Sequence, residues 1–130
     1  MRAAIIALML MFGSQAGADN VLYCSTAPNL ATGLVNEDGK WRTAKFFEER
    51  FTVKEGGNFS SVEILDYKYS CRRPYGTELG AITCQEKSGY TFIYDERTKK
   101  FIVSICSVAS YTHPSATDTC AIYAGSCEDF

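Results

Sequence analysis

The chain has 130 residues, of which 46% are hydrophobic and 22% are charged, and its formal net charge at pH 7 is −2. This length is enough for one globular domain and too short for two of ordinary size. Charges of both signs are dispersed along the chain, and no basic stripe of the kind that neutralises nucleic-acid phosphates occurs. Nucleic acid is therefore not an expected partner.

The first 18 residues have the pattern of an export signal. Arg2 gives a basic start, an apolar run extends from Ala3 to Phe12, and Ala16 and Ala18 form the small-residue exit that signal peptidases recognise. The run of about ten apolar residues is half of what a helix needs to cross a membrane. We therefore expect cleavage after Ala18 and a single mature domain, residues 19–130, that is periplasmic or secreted and has no membrane span.

Short runs with apolar and polar residues in alternation recur between turn signals along the mature domain. The predicted strands, in chain order, are 20–24, 34–36, 41–46, 51–54, 61–65, 67–71, 81–86, 90–94, 101–106 and 120–123. The strongest signal is the hairpin formed by 90–94 and 101–106, in which Phe92 and Tyr94 share one face and Phe101, Val103 and Ile105 share one face of the partner strand. This pattern predicts an all-β fold, either a small antiparallel β-barrel or a sandwich.

Two further local expectations concern aromatic residues. Phe47 and Phe51 lie four residues apart within 43–51, a spacing that allows one or two helical turns there. Trp41, the single tryptophan, follows a turn and begins a predicted strand. Because tryptophan is usually largely buried, we expect Trp41 to anchor the core.

All six cysteines lie in the expected mature domain, and their number and spacing indicate three disulfides. No Cys-x-x-Cys pair occurs, which argues against a zinc knuckle, a thioredoxin-type redox motif or a haem attachment site. A turn-rich stretch separates Cys71 from Cys84 and a loop separates Cys106 from Cys120, so these two pairs are favoured, with Cys24 and Cys127 joining the ends of the domain. Other pairings stay open. A lipid anchor on Cys24 is not expected, because the bulky Tyr23 precedes it.

The residue inventory does not favour an enzyme. The single histidine, His113, is followed by Pro114 in a loop rich in Ser and Thr, and no nucleophile, metal or nucleotide motif occurs. We therefore predict no catalytic residue, no metal site and no cofactor. Carboxylates brought together from separate strands would still allow an enzyme that acts on an envelope substrate.

A binding module is the favoured functional class, because disulfides hold the loops of a rigid β scaffold in place. Arg72, Arg73 and Tyr75 form the first candidate patch, since Arg and Tyr dominate interface energetics. The expected partner is an envelope or extracellular protein, and the oligomeric state is left open. The alternative is a disulfide-flanked turn that binds nothing.

Two resemblances accompany this interpretation. Cys24, Thr32-Gly33, Trp41, the hairpin from Tyr94 to Phe101 and Gly125-Ser126-Cys127 resemble a group of small exported bacterial proteins of unknown function, which implies no activity. Ser88-Gly89-Tyr90 resembles the start of the Ser-Gly-x-x-Tyr motif of periplasmic C-type lysozyme inhibitors, which are small disulfide-containing β-barrels; the tyrosine of that motif falls on Phe92. This second resemblance implies lysozyme inhibition carried by Ser88 and Lys87 as an alternative function.

Overall fold

The computed structural model describes residues 20–106 and 119–129, so the expected signal at 1–18 and His113 lie outside the described residues. Within these two ranges the chain forms β-strands and no helix. The strands are β1 (Asn20–Glu37), β2 (Lys40–Lys45), β3 (Arg50–Gly56), β4 (Ser61–Ile64), β5 (Tyr67–Arg72), β6 (Ala81–Glu86), β7 (Thr91–Asp95), β8 (Lys100–Ser104) and β9 (Thr119–Asp129). The predicted all-β fold is confirmed, and every predicted strand overlaps an observed one.

Eight of these strands close into an antiparallel barrel. Strands β3 to β9 pair in chain order, and β1 pairs with β3 on one side and with β9 on the other, which completes the ring. β2 pairs with the second half of β1 and lies outside the ring. Of the two architectures that the sequence allowed, the protein adopts the barrel, in which closure removes the unpaired edges of the sheet.

β1 is long because it belongs both to the barrel and to the β1–β2 hairpin. Residues 20–25 pair with β3, whereas 32–37 pair with β2. The register of β1 against β9 shifts between Thr26 and Ala31. A bulge of this kind bends a strand. The strands predicted separately at 20–24 and 34–36 are therefore two parts of one bent strand.

β1 and β9 approach each other closely at two glycines. A Cβ atom on Gly125 would overlap the carbonyl oxygen of Ser25, and a Cβ atom on Gly33 would overlap the carbonyl oxygen of Cys120. Residues with a side chain are excluded by such an approach of one backbone to another. These two positions therefore allow the pairing of the first and last strands that closes the barrel.

The core fills the interior of the barrel. Phe92 and Tyr94 of β7 are buried with stacked rings whose centroids lie 6.0 Å apart, and Phe101 and Val103 of β8 are buried opposite them. The face assignment of this hairpin is confirmed. Inward residues of the other strands, such as Val53 and Ile82, complete the same cluster.

Two local predictions are wrong. Residues 46–49 connect β2 to β3 without a helix, and Phe47 is 90% exposed. Hydrogen bonds to β1 hold this connection instead: the Thr26 hydroxyl accepts from the Glu49 N–H at 3.1 Å, and the Thr26 N–H donates to the Glu49 carbonyl at 2.9 Å. Trp41 is half-buried and is not part of the core cluster, because β2 lies outside the barrel ring.

All six cysteines are paired, as Cys24–Cys127, Cys71–Cys84 and Cys106–Cys120. These are the three pairs that the sequence favoured: two pairs flank a loop each, and Cys24 and Cys127 join the ends of the domain. The first two bridges join directly opposed residues of neighbouring strands, with Cα atoms 4.0 Å apart. Three disulfides are consistent with folding in an oxidising compartment, and the bond to Cys127 occupies the Cys24 sulfur that a lipid anchor would need.

Candidate binding sites at the two ends of the barrel

The two ends of the barrel differ in chemistry. The polar end is formed by the start of β1, the end of β9 and the connections β3–β4, β5–β6 and β7–β8. The aromatic end is formed by the start of β3, the end of β8 and the turns β4–β5 and β6–β7. Each end contains a cavity.

The aromatic end opens into a cavity of about 310 Å³, which we call the aromatic mouth. The Tyr67 and Tyr90 rings meet edge to face across part of its wall, with centroids 5.5 Å apart. Its charged members are Glu49 and Arg50, and the remaining wall is apolar or aromatic, formed by Phe51, Ile64, Leu65, Tyr67, Tyr69, Tyr90, Val103, Ile105 and Tyr123. Such a concave surface with few polar groups is typical of a binding pocket.

The rim of the mouth carries a leucine in an unfavourable backbone conformation. Leu65 and Asp66 are the central residues of the two-residue β4–β5 turn, with φ angles of 48° and 68°. Turns of this kind favour Asn-Gly or Asp-Gly, because positive φ is costly for a residue with a Cβ atom. The β1–β2 turn of the same chain follows this rule with Asp38 and Gly39. Leu65 breaks it and is also 75% exposed.

A buried carboxylate, that of Glu86, lies next to one residue of the mouth wall but is not itself part of the cavity lining. Glu86 is 8% exposed and stands directly opposite Tyr69 in the β5–β6 pair. Its Oε2 atom accepts a hydrogen bond of 2.9 Å from the Ser88 N–H. In the part of the chain that the structure describes, no Lys or Arg forms an ion pair with Glu86. Its negative charge therefore has a hydrogen-bond donor but no cationic partner there.

Two tyrosine hydroxyls of the mouth hold their protons more tightly than usual. Burial, and then the nearby Glu86 carboxylate, raise the pKa of Tyr69 to about 12. Burial, and then Glu49, raise the pKa of Tyr123. Both rings are therefore neutral near pH 7, so they offer uncharged aromatic faces and hydroxyl groups to a ligand.

The polar end holds a second cavity, of about 300 Å³, in which the polar groups satisfy one another. Glu55 is 4% exposed, and its carboxylate accepts hydrogen bonds from Asn20 Nδ2 at 3.0 Å and from the Phe59 N–H at 2.8 Å. Lys99 and Asp129 form an ion pair at the edge of this cavity. These contacts tie the strands together at this end and occupy the Glu55 carboxylate and the Lys99 ammonium group with partners from the chain itself.

The first candidate patch lies on the β5–β6 loop at the polar end. Arg73 forms an ion pair with Glu96, and its Nη2 atom donates to the Asn58 carbonyl at 3.4 Å. Tyr75 is 65% exposed, and Arg72 is also exposed. Arg73 therefore braces two loops against each other, whereas Arg72 and Tyr75 are accessible to a partner.

Lys87 and Ser88 lie on the exposed β6–β7 turn, at the aromatic end. Tyr75 and Ser88 are thus at opposite ends of the barrel and do not form one site. Arg72 and Lys87 do share a surface, because both line a shallow depression over β5 and β6, together with Lys68, Ser70, Cys71, Thr83, Gln85 and Glu86.

The aromatic mouth was not predicted from the sequence. Its aromatic residues come from β3, β5 and β9 and from Tyr90, which directly precedes β7, and the alternation on the strands predicts core positions. The predicted strand 61–65 included Leu65, whereas the structure ends β4 at Ile64 and places Leu65 in a turn of two residues, where an apolar side chain is out of place.

No protein-family model, curated protein or solved structure matches this chain. The residues that the structure describes bring together no group of three or more His, Cys, Asp or Glu side chains able to hold a metal ion. In the same ranges there is no helix long and apolar enough to cross a membrane. The geometry of the barrel ends is therefore the basis for a functional proposal.

Proposed function

We propose that this protein is an exported binding module that takes a side chain of a partner protein, from the envelope or the extracellular space, into its aromatic mouth. The observation that carries the proposal is Leu65. It combines a positive φ of 48° with an exposed fraction of 75%, so it costs backbone energy and contributes little to the core. Strained residues of this kind are concentrated at functional sites.

The construction of the mouth supports a role in binding. Tyr67 is 46% exposed beside Leu65, so the apolar surface continues from the rim into the cavity. Most of the wall comes from barrel strands, which a closed ring and the core hold in fixed positions. A rigid site loses little conformational entropy when a ligand binds. Export itself stays part of the proposal, supported by the signal pattern at 1–18 and by the three disulfides.

The exposed loop at the polar end is a second candidate surface. Arg72 and Tyr75 are both accessible there, and Leu79 is half exposed on the same loop. Arg72 borders the shallow depression over β5 and β6, and Arg73 of the same loop is held in an ion pair with Glu96, whereas the mouth is a concave pocket lined by aromatic rings. We therefore favour the mouth, and an experiment that probes both ends distinguishes them.

Site-specific photo-crosslinking in the native envelope tests the proposal. A photoreactive phenylalanine analogue replaces Tyr67 at the mouth in one variant and Tyr75 at the polar end in the other. We expect a discrete adduct from position 67, reduced by the additional change Leu65→Asn, and none from position 75. An adduct from position 75 alone would transfer the function to the Arg72, Arg73 and Tyr75 patch, and no adduct from position 67 would contradict the proposal.

Lysozyme inhibition is kept as the second candidate, because Ser88 and Lys87 project on an exposed turn beside the mouth. A C-type lysozyme assay with the wild type and with Ser88→Ala tests it directly. Inhibition by the wild type that is lost in Ser88→Ala would support this alternative. Turnover of an envelope substrate by the purified protein would instead support the third class, an enzyme built from carboxylates on separate strands.

A further inference from the structure

We infer that the side chain taken into the aromatic mouth is an arginine of the partner protein. This inference rests on the proposed function and names the chemistry of that same site. Three features of the mouth support it: the kind of rings that form its wall, the buried carboxylate next to that wall, and the position of the positive charges of the chain itself.

The rings suit a flat cation. Tyr67, Tyr69, Tyr90, Tyr123 and Phe51 surround the cavity, and aromatic faces attract Lys and Arg through the ring quadrupole. The guanidinium group of Arg is planar, stacks on such faces and is less strongly hydrated than the ammonium group of Lys. A cavity of about 310 Å³ is also large enough for one long side chain.

The buried carboxylate supplies an unmatched negative charge. Glu86 lies opposite Tyr69, which itself lines the cavity, and Glu86 has no ion-pair partner among the described residues. A charge taken out of water without an opposite charge is costly. Glu49 is the carboxylate that lines the cavity itself. A guanidinium group bound there would also bring a positive charge next to Tyr69, the cross-strand neighbour of Glu86.

The positive charges of the chain near the mouth do not fill this role. Lys68 and Lys87 line the depression over β5 and β6, which Glu86 also borders, but neither lysine forms an ion pair with Glu86 among the described residues. Arg50 does line the mouth, but it is exposed and forms no ion pair within the described residues. The Arg50 guanidinium group therefore competes with an arginine ligand for the same site, so removal of Arg50 should strengthen binding of that ligand.

The test uses the purified exported protein and two short peptides, N-acetyl-Gly-Arg-Gly-amide and the same peptide with citrulline, the neutral isostere of arginine. Binding is followed by NMR shifts of the backbone amides around the mouth. We expect millimolar binding of the arginine peptide, about tenfold tighter than that of the citrulline peptide. Equal affinity, or no shift for the arginine peptide at concentrations on the order of 50 mM, would overturn the inference.

Variants then assign the effect to the mouth. Tyr67→Leu removes one ring and should weaken the arginine peptide severalfold, whereas Tyr75→Leu at the polar end is the matched control and should leave the affinity unchanged. Glu86→Gln keeps an acceptor for the Ser88 N–H but removes the charge, so it should reduce the preference for arginine over citrulline. Arg50→Gln should strengthen binding of the arginine peptide; weaker binding would indicate a site for anions and would overturn the inference.

Different results would reject the binding module and the arginine ligand. A crosslink from position 67 together with equal binding of the two peptides would leave the binding module standing and reject arginine as its occupant. Absence of both the crosslink and any peptide binding would reject the aromatic mouth as the recognition site.

Discussion

Loss of the Cys24–Cys127 disulfide should cost more stability than loss of Cys71–Cys84, although both bridges join Cα atoms 4.0 Å apart on neighbouring strands. The first bridge spans 103 residues of the chain and the second spans 13. A cross-link lowers the conformational entropy of the unfolded chain by an amount that grows with the logarithm of this separation. The expected contributions are about 4.7 kcal/mol for the long loop and about 3 kcal/mol for the short one. The two shorter bridges contract the long loop in the unfolded state, which lowers its contribution to about 4.5 kcal/mol.

Replacing both cysteines of each bridge by alanine tests this difference in stability. Three of the four cysteines are fully buried and Cys71 is partly buried, so the packing losses of the two variants are similar and the difference reports loop length. Urea unfolding followed by circular dichroism gives the free energy of unfolding by linear extrapolation. We expect Cys24→Ala/Cys127→Ala to lose about 1.5 kcal/mol more than Cys71→Ala/Cys84→Ala. Equal losses, or a larger loss in the second variant, would refute the argument from loop length.

Four further outcomes are expected. Leu65→Asn should raise the free energy of unfolding by about 1 kcal/mol, because Asn tolerates positive φ, and unchanged stability would mean that the turn is not strained. Gly125→Ala should lower it by about 2 to 3 kcal/mol, since the added methyl group meets the backbone of β1, and a variant as stable as the wild type in urea would contradict this contact. Burial raises the pKa of Tyr69 and of Tyr94 to about 12. The stability that their neutral forms contribute is therefore complete below about pH 10 and is lost as the pH rises through 12. Because Phe has no hydroxyl group to ionise, Tyr94→Phe should unfold less readily than the wild type in alkali, as measured by circular dichroism. The intact mass of the exported protein should start at Asp19 with no acyl group, and a retained signal or an added lipid would overturn the export proposal.

The sequence by itself determined the kind of fold. Alternation of apolar and polar residues places Phe92 and Tyr94 on one face of a strand because successive side chains on a strand point to opposite sides. The turn at Asp38 and Gly39 is equally local, since these residue types accept positive φ. The disulfide pairs were also favoured by the loops between the cysteines. The strand faces and the turn depend on neighbours within a few residues, which is why the sequence alone predicts them. The disulfide pairs span 13, 14 and 103 residues, and they were favoured because a short loop separates each of two pairs and leaves Cys24 with Cys127.

Only the tertiary structure decided which residues that are far apart in the chain lie close together in the fold. The choice of a barrel depends on the pairing of β1 with β9, which joins the two ends of the domain. The place of Trp41 outside the core follows from the exclusion of β2 from that ring. The aromatic mouth is formed by side chains as distant in the chain as Phe51 and Tyr123. Strand alternation specifies that such rings point inward, but closure of the barrel determines which of them lie at an open end, because that depends on where each strand begins and on how its register aligns with its neighbours.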